Sequence, residues 1–396
     1  MLQAKSLNGK IVTLATMTSV DIAELKKQQA SFFCPACNQQ VIMKAGTRMI
    51  AHFAHRSTVN CPSYEGGEGG YHAKGKLLLY QWLVYQNINV QLEAYIPSID
   101  QRPDLLLTIN KKRIAIEYQC ARISIEQVTQ RNKGYRRANI TPIWILGENR
   151  LNRQTNNHIK IDQFTRQFIH QFSTTSPPAL YYFCPQTLQF ITIQDIHLTQ
   201  ASQAIGKFDI KSLNQIHLLH LFKQQRFTAF ELYQLWKSEK RKFRLKPLHP
   251  YGKELSWHQW LYGKGTHLEY LPSIVHLPVS SQYLMKTSTW DWQSRLVIDL
   301  LAPLPIGGQI SIKSCESFLR KQILSTHHVP LIHAPENPII EYLRLLANLN
   351  IIKQESPHSF TKINPIKFHK NIEEALKADE EMISLLTVNT SDKMQA

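Results

Sequence analysis

At 396 residues the chain has room for two or three domains, and 43% hydrophobic residues supply enough apolar side chain for real cores. Lysine and arginine outnumber aspartate and glutamate by 46 to 29, a formal net charge of +17 that points to a polyanionic partner, nucleic acid ahead of an acidic membrane surface. No run of about 18 apolar residues supports membrane insertion, the start lacks the pattern of a secretory signal, and six unevenly spaced cysteines make no disulfide framework, so the expected location is the cytoplasm.

The first cluster lies in "FFCPACNQQVIMKAGTRMIAHFAHRSTVNC", residues 32–61. Cys34 and Cys37 form a C-x2-C knuckle, followed by His52 and His55 as H-x2-H and then by Cys61. Thiolates and imidazoles at such separations close a tetrahedral zinc site. His52 and His55 are the first choice to complete the set, with Cys61 as the substitute for either. Four protein ligands leave no open position, so the ion would be structural. It would staple a segment too short to build much core of its own. Residues 1–61 are therefore expected to form a zinc-knuckle module.

Beyond the glycines of "EGGEGG" a helix is predicted from about residue 72 to 85, with Leu77, Leu78, Trp82 and Leu83 on its apolar face. Glu68 precedes it, while His72 and Lys76, four apart, point the same way. Three strands follow: "NVQLEAYIP", "RPDLLLTI" and "RIAIEYQC". The polar "NKKR" between the last two predicts a hairpin. A ladder centred on that turn brings Asp104 and Glu117 to one end, where two carboxylates can share a cation. Glu117 interrupts an apolar run, and burying a carboxylate costs heavily unless it is paired or bound to metal. A helix from about 124 to 138, capped by Ser124 and carrying Arg131 and Tyr135 on one face, leads to the buried strand "ITPIWILG". That crossover predicts an α/β fold whose mixed sheet has at least one parallel pair.

The polar "ENRLNRQTNNHIKIDQ" places a boundary near 155, so the second domain is expected to span 62–155 and a basic, mixed or mainly helical domain 156–387. Within that last part "YYF" and "LQFITI" read as a hairpin, and the lone Cys184 as a buried structural cysteine. Lys237, Lys240, Arg241, Lys242, Arg244 and Lys246, interrupted only by Glu239, form a basic run suited to salt-dependent DNA binding. The segment 338–352 has helical spacing, and residues 388–396 read as a disordered tail.

The order helix, three strands, helix, strand, with Pro103-Asp104 and Glu117-x-Gln119 on adjacent strands, resembles the restriction-endonuclease-like fold, whose pattern is P-D followed by D/E-x-K. Hydrolysing a phosphodiester requires a hard cation to polarise the phosphate and lower the pKa of a water. Carboxylates suit magnesium or manganese. Asp104 and Glu117 would be ligands, Glu68 a third ligand directly or through water, and His72 a group that orients the phosphate or relays a proton. Gln119 stands where the pattern has lysine and carries no charge. Lys76, with Arg131 in reserve, is the expected source of the missing positive charge.

Taken together, "FFCPACNQQVIMKAG", "AHFAHRS", the Glu68–His72–Lys76 approach, "RPDLLLTI", "IAIEYQ", the Arg131 and Tyr135 pair and "IWILG" are similar in order and spacing to the competence protein CoiA family. The resemblance implies a cytoplasmic protein of transformable bacteria with a nuclease-like domain. Its DNA would be incoming single strands or recombination intermediates, handled alongside the recombinase and other competence proteins. Three classes of function are compatible with these features: a metal-dependent DNA nuclease, a catalytically inactive DNA-binding accessory factor, and an interaction scaffold.

Overall fold

A computed structural model describes residues 1–46, 49–56, 61, 69–247 and 251–395. Strands β1 (Gln3–Ser6), β2 (Ile11–Thr13), β3 (Phe32–Phe33), β4 (Gln40–Lys44) and β5 (His52–His55) form an antiparallel sheet ordered β2-β1-β3-β4-β5. Between β2 and β3 lies α1 (Ser19–Lys27), whose start is fixed by a reciprocal capping box between Thr18 and Asp21. Its core is small: Leu14, Phe32, Val41 and Phe53, with Cys34 buried among them.

The central layer is one eight-stranded sheet. It contains α2 (Gly70–Tyr85) and β6 (Asn89–Leu92), the hairpin β7 (Leu105–Ile109) and β8 (Lys112–Gln119), then α3 (Ile125–Arg137) and β9 (Ile140–Gly147). It continues through β10 (His158–Lys160), the short α4 (Gln163–Arg166), β11 (Ala179–Cys184), β12 (Gln189–Leu198) and β13 (Gln203–Ser212). The order is β10-β13-β12-β11-β9-β8-β7-β6, with β8, β9 and β11 parallel and the other pairs antiparallel. The α/β mixed sheet is thus as expected, but the boundary placed near 155 falls inside it. The polar connector is a surface excursion, after which the chain returns to the same sheet. Alternation along β8 sends Ile116 and Tyr118 to the side covered by Leu79 and Leu83 of α2, and Ala115 to the side shared with Tyr135 of α3. Cys184 is buried, as its apolar surroundings predict.

The remainder is largely helical: α5 (Ala229–Arg244), α6 (Gly252–Gly263), α7 (Thr289–Leu296), α8 (Ile312–Leu319), α9 (Pro338–Asn348) and α10 (Ile372–Gln395), with a small sheet of β14 (Gln309–Ser311), β15 (Ile352–Ser356) and β16 (Ser359–Lys362). Trp236, Trp257, Trp292 and Tyr342 fill its core. One expectation is corrected here. Residues 388–395 continue α10 instead of forming a disordered tail, Ala396 lying outside the described residues. In the basic run, two of the six cations are withdrawn from solvent. Lys240 and Arg244 are 1% and 3% exposed, and both clamp Asp379 of α10, at 3.2 Å from the Lys240 Nζ and 2.8 Å from the Arg244 Nε. Lys237, Lys242 and Lys246 pair with Glu380, Glu239 and Glu254. Arg241 remains exposed on α5. No helix among the described residues is long and apolar enough to cross a membrane.

The Asp379 cluster holds two buried cations against one buried anion, with the spare donors satisfied by the carbonyls of Leu268, Leu271, Ser273 and Val275. Burial lowers the Lys240 ammonium to about 8 despite Asp379 beside it. Asp379→Ala strands both charges and is expected to destabilise the protein by about 3–5 kcal/mol in urea unfolding. An exposed Lys242→Ala control is expected to stay within about 0.5 kcal/mol.

Candidate functional site

The first site is built on the turn after β3 and on the end of β5. Cys34 N–H donates to the Gln39 carbonyl at 2.9 Å, and Asn38 takes a left-handed φ of 56°, closing the knuckle that presents Cys34 and Cys37 together. The ligand atoms of Cys34, Cys37, His55 and Cys61 all lie within 4.8 Å of one another. Cys34 Sγ and Cys61 Sγ are 3.8 Å apart, and Cys37 Sγ is 3.4 Å from His55 Nε2. With Zn–S bonds of ~2.3 Å, sulfurs at two corners of a tetrahedron sit ~3.8 Å apart. The cluster is capable of holding a metal ion. Burial, with Cys34 adding to it, pushes the Cys37 thiol up to about 11; a cation reverses such a shift because it stabilises the thiolate.

His52 is not in this cluster, and Cys61 takes its place. The H-x2-H pair lies on a strand, where residues three apart face opposite sides. His55 turns with buried Phe53 toward the cysteines, while His52 Nδ1 lies 2.9 Å from the Ile50 carbonyl.

The second site lies where the β7–β8 hairpin ends. Asn110 and Lys111 both have positive φ, 48° and 66°, as a two-residue type I′ turn requires. That turn fixes Ile109 opposite Lys112 and Leu105 opposite Ile116, so Asp104 and Glu117 are the next positions outward, at one end of the hairpin. Pro103 ends pairing before Asp104, whose Oδ2 accepts from the Tyr118 amide at 2.9 Å. On α2, His72 and Lys76 approach together: His72 Nε2 is 3.3 Å from Asp104 Oδ2, and Lys76 Nζ is 3.3 Å from Asp104 Oδ1. Glu117 turns to α3, where Arg131 lies 2.5 Å from its Oε1 and the Tyr135 hydroxyl donates to the same oxygen. Gln119 donates its amide to the Ala121 carbonyl at 2.7 Å. Glu68 lies outside the described residues.

Glu93 belongs to this site and was absent from the candidates. It ends β6 in a left-handed conformation (φ 49°) and is 3% exposed. Its Oε1 lies 2.5 Å from Lys76 Nζ, and its Oε2 accepts from the amides of Leu2 and Gln3 at 2.8 and 3.2 Å. Lys76, fully buried, thus bridges Glu93 and Asp104, and β1 docks on the far side of that bridge. Burial works to raise the Asp104 carboxyl, but Lys76 and His72 outweigh it and hold the group far below the usual range. Burial likewise opposes ionisation of Glu93, but Lys76 and Arg102 bring it down to about 2. Burial and Glu117 keep the Tyr135 phenol protonated, a hydrogen-bond donor at neutral pH.

Depressed carboxylates contribute stability that is complete above their unfolded values and is lost as pH falls through the folded ones. Acidification from about pH 5 toward pH 2 should therefore progressively destabilise the protein. Glu93→Gln should cost about 3 kcal/mol at pH 7 and flatten that acid limb, as urea midpoints measured across the range would show. An acid limb as steep as the parent's would contradict the Glu93 assignment.

Three family models match the chain: "Competence protein CoiA, N-terminal domain" over residues 14–64, "nuclease-like domain" over 68–226 and "C-terminal domain" over 232–376. The middle match ends beyond the last strand of the eight-stranded sheet. Competence protein CoiA of Bacillus subtilis (strain 168) is 30% identical over 276 residues, covering 69% of this chain and 73% of that protein. No solved structure matches the chain. Three successive domain matches, a curated relative of this coverage and a sheet that spans the nuclease-like match together make the chain a member of the competence protein CoiA family.

Proposed function

We propose that the protein is a metal-dependent DNA nuclease acting in the cytoplasm during transformation and recombination, with Asp104 and Glu117 as the residues that hold a magnesium or manganese ion. The observation that carries this reading is the pair of buried carboxylates at the open end of the β7–β8 hairpin, Asp104 just before β7 and Glu117 on β8, each beside a cation, in a nuclease-like domain. Charges so placed are expensive to bury and unnecessary to a sheet, which favours a chemical role. Their hard oxygen donors fit either ion. When bound, the ion supplies electrophilic polarisation of the phosphate and a lowered pKa for water.

The chain's own groups do the rest. Lys76, fully buried, and Arg131 bring positive charge to the two carboxylates, and in this reading their field stabilises the charge that develops on phosphate, a role for which Gln119 has no charge to offer. His72 Nε2, aimed at Asp104 Oδ2, is the group to accept or return a proton. Incoming single strands or branched intermediates are the substrates this reading favours, handled together with the recombinase. In the first site we assign a structural zinc ion to Cys34, Cys37, His55 and Cys61.

A second reading, a catalytically inactive DNA-binding accessory factor, is favoured by one feature: Lys76 and Arg131 already neutralise the two carboxylates. Labelled single-stranded, duplex, flapped and branched DNA incubated with magnesium or manganese separates the two. Cleavage is expected on at least one substrate and should fall by at least about a hundredfold in Asp104→Ala and Glu117→Ala. Survival of every substrate with manganese present would leave the accessory reading. For the zinc assignment, metal analysis should find about one zinc per chain. Cys34→Ser and His55→Ala should lower it and His52→Ala should not. Zinc retained in a Cys34/Cys37 double variant would refute the assignment.

A further inference from the structure

The basic run of α5 gives Lys240 and Arg244 to a buried ion cluster, and the C-terminal domain carries a second set of cations on α8. Helix α8 buries Ile312, Cys315 and Leu319. Its other side carries Lys313, Ser317 and, at its C-cap, Arg320. These are spaced i, i+4 and i+7 and so form a row about 10 Å long. That row is one wall of a groove of about 620 Å3. The opposite wall is the start of α9, with Asn337 as N-cap and Pro338 following it, and the floor is Leu284, Ile323 and Leu324. Ser325 and Thr326 line one end.

The charges lining the groove are unbalanced. Neither Lys313 nor Arg320 forms an ion pair among the described residues, in contrast to five of the six cations in the 237–246 run. Glu316 also lines the groove, but its Oε1 accepts from the Asn337 side chain. The acid in the first turn of α9, Glu341, turns away to the amides of Ser280 and Ser281 at 2.6 and 3.0 Å. The positive end of α9 therefore faces the groove beside one carboxylate, Glu316, and the two cations leave the lining with a net positive charge.

We propose that this groove binds the sugar–phosphate backbone of single-stranded DNA, an inference that rests on the DNA reading above. Two cations, serine and threonine hydroxyls and a helix N-terminus are the usual donors to phosphate oxygens. The apolar floor accepts base faces without selecting among them. The groove thereby supplies strand affinity at a distance from the carboxylates at the end of the β7–β8 hairpin.

The test measures binding of a fluorescein-labelled oligothymidylate to the full chain in EDTA, for the parent protein and for a Lys313→Ala/Arg320→Ala variant. Both residues are exposed, and thermal unfolding checks that the variant is folded. Affinity at low salt should drop roughly tenfold, and the slope of log K against log salt should fall by about 1.4, two phosphates at about 0.7 each. Photo-crosslinking with 5-iodouracil should label peptides spanning 313–326. Unchanged affinity and slope in the variant, or crosslinks confined to other regions, would overturn the groove while leaving cleavage at Asp104 and Glu117 untouched. Absence of strand binding by the parent protein would overturn it as well. Displacement of the strand by equimolar inorganic phosphate would reassign the groove to small anions and reject the strand proposal.

Discussion

The structure turns on one buried cation. Lys76 has no access to water, and a charge so placed is tolerable only if anions meet it directly. Glu93 and Asp104 do so, and each is itself fixed by backbone: Glu93 by the amides of Leu2 and Gln3, Asp104 by the amide of Tyr118. One ammonium thus joins α2, the ends of β6, β7 and β8, and the first strand of the N-terminal sheet. The same constraint keeps the Asp104 carboxylate ionised at the end of the hairpin where β8 carries Glu117. Rigidity and chemistry have a common origin here.

The Asp379 cluster obeys the same electrostatics to a different end. Lys240 and Arg244 are also buried, and a single aspartate from a helix far along the chain answers both. The spare donors go to loop carbonyls, and the histidines nearby, His276 and His369, are held by Thr289 and Ser273. The cluster fastens α10 to α5. The hairpin centre differs in that three acids, Glu93, Asp104 and Glu117, meet Lys76, His72 and Arg131 there.

Local physics made much of this legible in the sequence. Asn110 and Lys111 marked the hairpin, and with it the placing of Asp104 and Glu117 at one end. Ser124 marked the start of α3, where it forms a capping box with Gln127. What failed was information held at long range. Nothing near Lys240 in the sequence shows that Asp379 lies against it, so a buried network looked like a solvated basic face. The asparagine-rich connector after Gly147 looked like a domain boundary, because pairing of β11 to β9 is not encoded in either strand alone. Of the three candidates to complete the Cys34/Cys37 set, Cys61 displaces His52 for a local reason: His52 and His55 lie three apart on a strand and so face opposite sides. Glu93 was overlooked although it carries the signal that singled out Glu117, an acid interrupting an apolar run, "NVQLEAYIP".

Asp104 and Glu117 as holders of a catalytic cation are the centre of the account, and anomalous diffraction from crystals of the full chain soaked in manganese tests them most directly. A peak in contact with both carboxylates is expected, absent in Asp104→Asn. Lys76 and Arg131 should remain beside the two acids in that structure. Full manganese occupancy elsewhere, with Asp104 and Glu117 still held only by Lys76, His72 and Arg131, would contradict the assignment.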